Sequence, residues 1–290
     1  MGQARQTFER RQLGLTLRRL RDQAGEPQQV AAEAIGKSRT RIVQLEEGIG
    51  TTSQEMLEAL LDCYGVTGEE RTTVLELGAV ARKRQKRRVY VDQLPDAYQR
   101  FADLEANASE INWYETGIIP GLLQSPSYLR AIFADGSGVW WDPSSAEVED
   151  RINYRIERQN RVLGSSGERL LRFVITEDAL RANMGSPEIM REQLRHILTL
   201  LDEHPDLTVR VLPNNVSGNP ARGAGLLIFG FGGRGQPVAY SPSVIGPSAY
   251  YHEEADVTAV LRGFYRIWEL AVARAESRLL IKSFIEEMPP

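Results

Sequence analysis

The residues best placed to do chemistry lie together in PQQVAAEAIGKSRTRIVQLEEG, residues 27–48. Ala31, Ala32 and Ile35 give one short helix a small apolar face, Gly36 supplies a tight turn, and Ser38 can cap a second helix whose Ile42 and Leu45 face back to a core. With those two side chains inward, Arg39, Thr40, Val43 and Gln44 point outward. An Arg fork can meet two acceptors of guanine and a Gln can pair with adenine, each worth ~1–3 kcal/mol of discrimination in good geometry. The chemistry implied is hydrogen bonding to base edges by a helix over 38–46 lying in a major groove, with Gln28, Lys37 and Arg41 contacting the backbone. The alternative is an ordinary solvated face on an all-helical bundle.

Catalytic chemistry finds less support. The three histidines, His196, His204 and His252, form no H-E-x-x-H motif, and His196 and His204 are too far apart for a paired helical ligand set. Cys63 sits on an amphipathic helical pattern, as a small core residue or as a reactive thiol. GFGGRG, residues 230–235, matches G-x-G-x-x-G in form, yet QPVAYS follows it as a strand where a pyrophosphate site needs a helix N-terminus; it reads as a hairpin turn. No enzyme, cofactor or metal site is expected.

These outward residues need a framework, and the first 80 residues supply five short helices. They are expected at 8–24, 27–34, 38–46, 53–64 and 69 to about 82, with Phe8, Leu13, Leu17 and Leu20 striping the first. Thr52 before Glu55 and Thr67 before Glu70 are spaced as capping boxes. The basic run ARKRQKRR, residues 81–88, resists burial and is read as a linker, either a phosphate-contacting arm or a solvated connection. From Pro95 the pattern alternates. Helices are expected at 95–114, 125–134, 144–163, 187–203 and 254–287, with starts at Ser144 and Ser186-Pro187, and strands at 170–176, 207–213, 226–231 and 237–241. The expected architecture is mainly α: a helix-turn-helix domain over 1–80, a basic linker over 81–94, and a larger α+β domain with a small sheet over 95–290.

At 290 residues the chain can bury one or two cores without covalent staples. No run approaches the ~18–20 apolar residues of a membrane span, the basic N-terminus carries no apolar signal core, and the single cysteine excludes an intramolecular disulfide framework; a cytoplasmic protein is expected. The net charge of −4 is divided unevenly. Residues 1–90 hold 16 Lys+Arg against 12 Asp+Glu and the remainder 19 against 27, so the N-terminal part is net +4 and the rest net −8. Such asymmetry suits a polyanion-facing segment joined to a partner- or ligand-facing one.

Gln28, Ala32, Gly36, Ser38, Ile42, Glu46 and Gly48 resemble the helix-turn-helix pattern of the lambda-repressor-like family, also called the Cro or xenobiotic-response-element type. The resemblance implies that Gln28 anchors by touching phosphate and the base-reading side chains, and that Arg39, Thr40 and Gln44 read bases. Lys37 and Ala31 depart from the pattern, standing where the family usually has an apolar residue and a Leu.

Farther on, Trp113, Tyr114, the Pro120-Gly121-Leu122-Leu123-Gln124 turn, Tyr128, RIERQNRVL (155–163), ITEDAL (175–180), Gln193-Leu194 and VRVLP (209–213) together resemble the C-terminal domain of a large actinobacterial regulator family described as antitoxin-like. That resemblance implies a transcriptional regulator, binding double-stranded DNA at a pseudo-palindromic operator as a homodimer, whose second domain binds a small toxin-like protein encoded nearby. Trp113, Tyr114, Leu122, Leu123, Gln124 and Tyr128 are the candidate partner or effector contacts; aromatics and leucines around a turn are also ordinary core. The other readings are a small-molecule-responsive regulator and a scaffold with a vestigial helix-turn-helix.

Overall fold

The computed structural model describes residues 6–83, 89–137, 139, 145–165, 168–233, 235–243 and 248–289. It divides into two compact units. The first comprises residues 1–107 with 233–236 and 243–252; the second comprises 108–232, 237–242 and 253–290.

Five helices open the first unit: α1 (Phe8–Gln23), α2 (Gln28–Ala34), α3 (Arg39–Glu46), α4 (Gln54–Cys63) and α5 (Gly68–Arg82). The leucine stripe of α1 is buried with Ala31, Ala32, Ile42, Leu45, Leu57, Leu60, Leu61 and Leu77 in one core, against which Cys63 packs. Burial pushes the Cys63 thiol above its ordinary value, which suits a packing residue better than a nucleophile. The cap of α4 is Ser53, whose hydroxyl accepts from the Met56 N–H; Thr52, the expected cap, is one residue too early and is itself buried. Thr67 stands at the N-cap of α5 without a side-chain bond, so the second expected capping box is not formed.

After Lys83 the basic run continues through residues 84–88, which lie outside the described residues. The chain then forms β1 (Val89–Val91) and α6 (Ala97–Asn107). Between them Asp92 is locked by Arg100 through bonds of 2.8 and 2.6 Å, and the same guanidinium bonds the carbonyls of Leu94 and Pro95. The first unit thus runs through Asn107, past the boundary expected near residue 95.

The second unit continues with β2 (Glu110–Glu115), α7 (Pro126–Gly136), α8 (Ser145–Leu163), β3 (Leu170–Thr176), α9 (Glu177–Arg181), α10 (Pro187–Glu203), β4 (Leu207–Leu212), β5 (Leu226–Gly230) and β6 (Val238–Ser241). Then β7 (Ala249–Tyr251) returns to the first unit, pairing antiparallel with β1, and α11 (Glu254–Leu270) and α12 (Arg274–Glu287) complete the second. Ser186 caps α10 as expected, with Pro187 in its first turn; Ser144 lies outside the described residues.

Twelve α-helices among the described residues make the chain mainly α, but the small sheet expected is too modest. Five strands of the second unit run in the order β6-β5-β2-β3-β4, with β2, β3 and β4 parallel and β5 and β6 antiparallel. The centre of this sheet is β2, where a continuous helix over 95–114 was expected. Ile111, Asn112, Trp113 and Tyr114 are all buried between neighbouring strands, so the segment lacks the alternation that marks a half-exposed strand.

The expected helix over 254–287 is two helices. At the break the Val272 N–H donates to the Val211 carbonyl at 3.0 Å, and the Ser277 hydroxyl accepts from the Val211 N–H at 2.9 Å. Pairing with β4 competes there with helix continuation.

Candidate nucleic-acid interface

The face formed by α2 and α3 is built from a close helix crossing. A Cβ on Gly14 of α1 would stand 2.4 Å from the Leu45 carbonyl oxygen and 2.6 Å from that of Glu46, so glycine lets α1 and the end of α3 touch backbone to backbone. Gly48 leaves α3 at φ +72, and a Cβ there would lie 2.7 Å from the Arg11 backbone. With Ile42 and Leu45 pinned inward, Lys37, Ser38, Arg39 and Thr40 are exposed at the start of α3, and Arg41, Val43 and Gln44 are half-buried along it.

A hydrogen-bonded relay reaches this edge from the interior. Arg21 of α1 grips Glu46 of α3 with bonds of 2.5 and 3.2 Å, and both side chains are nearly closed to solvent, at 10% and 5% exposure. The Glu46 hydrogen bond holds the Arg21 guanidinium above its ordinary pKa, against the burial that lowers it. Glu46 Oε2 also accepts from Gln28 Nε2 at 2.9 Å, and Gln28 Oε1 accepts from Arg39 Nε at 3.2 Å. The buried pair therefore orients the Gln28 amide, and the amide orients the outermost guanidinium of α3.

Ser38 occupies the N-cap of α3 but makes no side-chain cap bond. The Arg41 N–H donates to the Ser38 carbonyl at 2.9 Å, and the exposed Ser38 hydroxyl and Lys37 stand at the positive end of the helix, which favours anions. Arg41 turns sideways, donating to the Thr51 carbonyl and lying against Gly50. Sequence reasoning assigned no role to Arg21 or Gly14. Arg21 is 25 residues from its partner and belongs to no local motif, and Gly14 interrupts a helix with no turn to explain it.

In the second unit the Pro120–Gln124 segment is a clamped internal turn, containing one turn of 3-10 helix at Gly121–Leu123. Gln193 of α10 donates to the Leu123 carbonyl and accepts from the Ser125 N–H, both at 2.7 Å. Gln159 of α8 donates to the carbonyls of Gly121 and Gln124 at 2.8 and 2.9 Å, and Gln124 itself donates to the Ile119 carbonyl at 2.6 Å. The Tyr128 hydroxyl accepts from the Ile119 N–H, and that of Tyr114 accepts from Asn219. Trp113, Tyr114, Leu122, Leu123, Gln124 and Tyr128 are all buried. They are core, so these six candidate contacts offer no surface to a partner; the motif-like turn owes its composition to packing.

The comparisons with known proteins divide the chain similarly. A helix-turn-helix domain model matches residues 12–74, spanning α1 to the middle of α5 and including the relay. A second model, described as a domain of unknown function (DUF5753), matches residues 98–283, well over half of the chain. The chain belongs to the DUF5753 family. No curated protein matches it. In this DUF5753 protein the helix-turn-helix match and the geometry of α2 and α3 coincide: the matched segment is a DNA-binding module with its polar edge exposed. No described helix is long and apolar enough to cross a membrane, and no described group of three His, Cys, Asp or Glu side chains is arranged to hold a metal ion.

Proposed function

We propose that this DUF5753 protein is a cytoplasmic, sequence-specific DNA-binding transcriptional regulator and not an enzyme. In this reading α3 lies in the major groove. Arg39, Thr40 and Gln44 read base edges, Val43 makes apolar contact, and Gln28, Lys37, Ser38 and Arg41 face the phosphate backbone. The observation that carries it is the Arg21–Glu46–Gln28–Arg39 relay, which spends a buried ion pair on holding one exposed guanidinium. A solvated helical face has no need of such an arrangement.

The module is proposed to act as a homodimer on a pseudo-palindromic operator, since paired recognition helices reach half-sites about one helical turn apart. The second unit is proposed to bind a small toxin-like protein encoded nearby, a reading that rests on the antitoxin-like resemblance alone. The test is a titration of the gene's own upstream DNA and a scrambled control at several salt concentrations, with wild type and Arg39→Ala. Tight, salt-sensitive binding to the native sequence that falls toward the scrambled level in the variant supports the reading. Equal weak binding to both DNAs, unchanged by the variant, overturns it.

A further inference from the structure

Besides its leucines, α1 carries a second patterned stripe. Phe8, Gln12, Thr16 and Arg19 follow one another at steps of three or four residues and share one side of the helix. Gly14 and Arg21, which meet α3, stand on the opposite side. Both ends of the stripe are tied to elements that follow the helix-turn-helix. The Phe8 ring lies 5.0 Å from that of Tyr90 in β1 and 4.9 Å from that of Tyr250 in β7, and Arg19 Nε donates to Asp103 of α6 at 3.1 Å. Helix α6 packs against α1, with Ala102, Asp103 and Leu104 buried.

Between those ties the stripe is buried and unsatisfied. Gln12 is 0% exposed and Thr16 3%, yet neither amide atom of Gln12 nor the Thr16 hydroxyl has a hydrogen-bond partner among the described residues. A buried polar group left unpaired works against the contact that buries it, and water would satisfy all three atoms once the seam opened. The pieces on either side are well bonded within themselves. Leu13, Leu17 and Leu20 join a core whose described buried residues come from α1 to α5 and their connections. Arg100 staples the start of α6 through Asp92 and the carbonyls of Leu94 and Pro95. Arg19 also donates to Glu70 of α5 at 3.3 Å, so it keeps an acidic partner when Asp103 leaves.

We propose that α6 is a reversible latch on α1, lifting from the Gln12–Arg19 side while the helix-turn-helix head, α1 to α5, stays folded. The aromatic contacts at Phe8 are its pivot and the Arg19–Asp103 bond its catch. Helix α6 ends at Asn107 and the chain enters β2, the centre of the second unit's sheet, at Glu110, so a change that moves the start of β2 acts first on α6. The latch gives an event in the second unit a way to hold or free the head. Its opening does not depend on the DNA-reading assignment.

The test uses the full chain without ligand or DNA, with amide hydrogen exchange followed by mass spectrometry in α6 and α4, and with thermal unfolding. In wild type the α6 amides are expected to be protected at least about tenfold less than those of α4, whose Leu57, Leu60 and Leu61 lie in the core of the head. Gln12→Leu/Thr16→Val dries the seam and is expected to raise Tm and slow α6 exchange about tenfold or more. Thr16→Val alone, nearly the same shape, is expected to act in the same direction by about severalfold, which keeps the test open should the double variant pack badly. Thr16→Cys in a Cys63→Ala chain reads the opening directly: its thiol should react with a soluble thiol reagent while the α4 amides remain protected. Equal protection of α6 and α4, or a thiol at position 16 that reacts only as fast as the chain unfolds, would overturn the latch. So would a Thr16→Val protein with lower Tm or unchanged α6 exchange, which would mean that ordered water fills a seam that stays shut.

Discussion

Replacing Glu46 with alanine tests whether the interior sets the reading edge. The substitution strips the nearly buried Arg21 guanidinium of its two Glu46 bonds, leaving it the exposed Asp22 carboxylate at 2.7 Å and the Glu26 carbonyl, and removes the acceptor of Gln28. Breaking a buried ion pair from one side costs about 3–5 kcal/mol when the remaining charge has no other partner; with Asp22 retained the expected cost is about 2–3 kcal/mol, still a large share of the ~5–15 kcal/mol that holds a typical domain folded. Urea unfolding followed by far-ultraviolet circular dichroism should show the helix-turn-helix transition at markedly lower denaturant. The double variant Arg21→Met/Glu46→Leu separates stability from positioning. It exchanges the pair for apolar volume and is expected to restore the unfolding free energy to within about 1–2 kcal/mol of wild type. It still leaves Gln28 without its partner, so Arg39 loses its support. Ordering a long side chain at an interface costs about 0.5–1.5 kcal/mol, which predicts a twofold to tenfold weaker hold on the upstream DNA at restored stability. A Glu46→Ala protein as stable as wild type, or a double variant binding DNA with wild-type affinity, would refute the relay.

Three further outcomes follow from the same geometry. Gly14→Ala forces a methyl group into the Leu45 and Glu46 carbonyl oxygens and should destabilise the first unit by roughly 1–3 kcal/mol, with loss of DNA binding in proportion to loss of fold, measured by urea unfolding. Gln193→Leu strands the Leu123 carbonyl and the Ser125 N–H inside the second unit and should cost about 1–3 kcal/mol for each group left unpaired, read from thermal unfolding, without changing DNA affinity at a temperature where the variant is folded. Burial lifts the Glu115 carboxyl above its usual 4.5, outweighing the bonds from the Trp113 indole and the Thr116 N–H that lower it. The folded state holds that proton more tightly than the unfolded chain, so its contribution is complete in acid and lost as pH rises through the raised pKa. Glu115→Gln should accordingly be more stable than wild type at pH 7, with the difference shrinking as pH falls through the raised pKa and gone below about pH 4.5.

The helix-turn-helix was legible because every level of the sequence agreed there: apolar spacing, the Gly36 turn, and the inward Ile42 and Leu45 all describe one corner. What supports that corner was not legible, because Arg21 and Gly14 act across the fold on residues remote in sequence. In the second unit, β2 was hidden by its own burial. A strand closed on both faces shows no period of two, and its Trp and Tyr lay at the end of a helical pattern. The short strands β1 and β7 have three residues each, too few to show any period. The break between α11 and α12 carries no Gly or Pro, since a hydrogen bond to β4 makes it. The turn at Pro120–Gln124 stood out in sequence for its composition, and the structure gives that composition a packing cause in Gln159 and Gln193.

The most direct measurement compares Arg39→Ala with Lys37→Ala by selecting bound sequences from a randomised DNA pool and titrating salt on the preferred one. If α3 reads bases, Arg39→Ala relaxes the preference at one position of each half-site, at a cost of about 1–3 kcal/mol on the preferred sequence. Lys37→Ala then leaves the preferred sequence intact and lowers the slope of binding against salt by about one. Identical sequence preferences for wild type and Arg39→Ala would contradict the assignment of α3 as the reading helix.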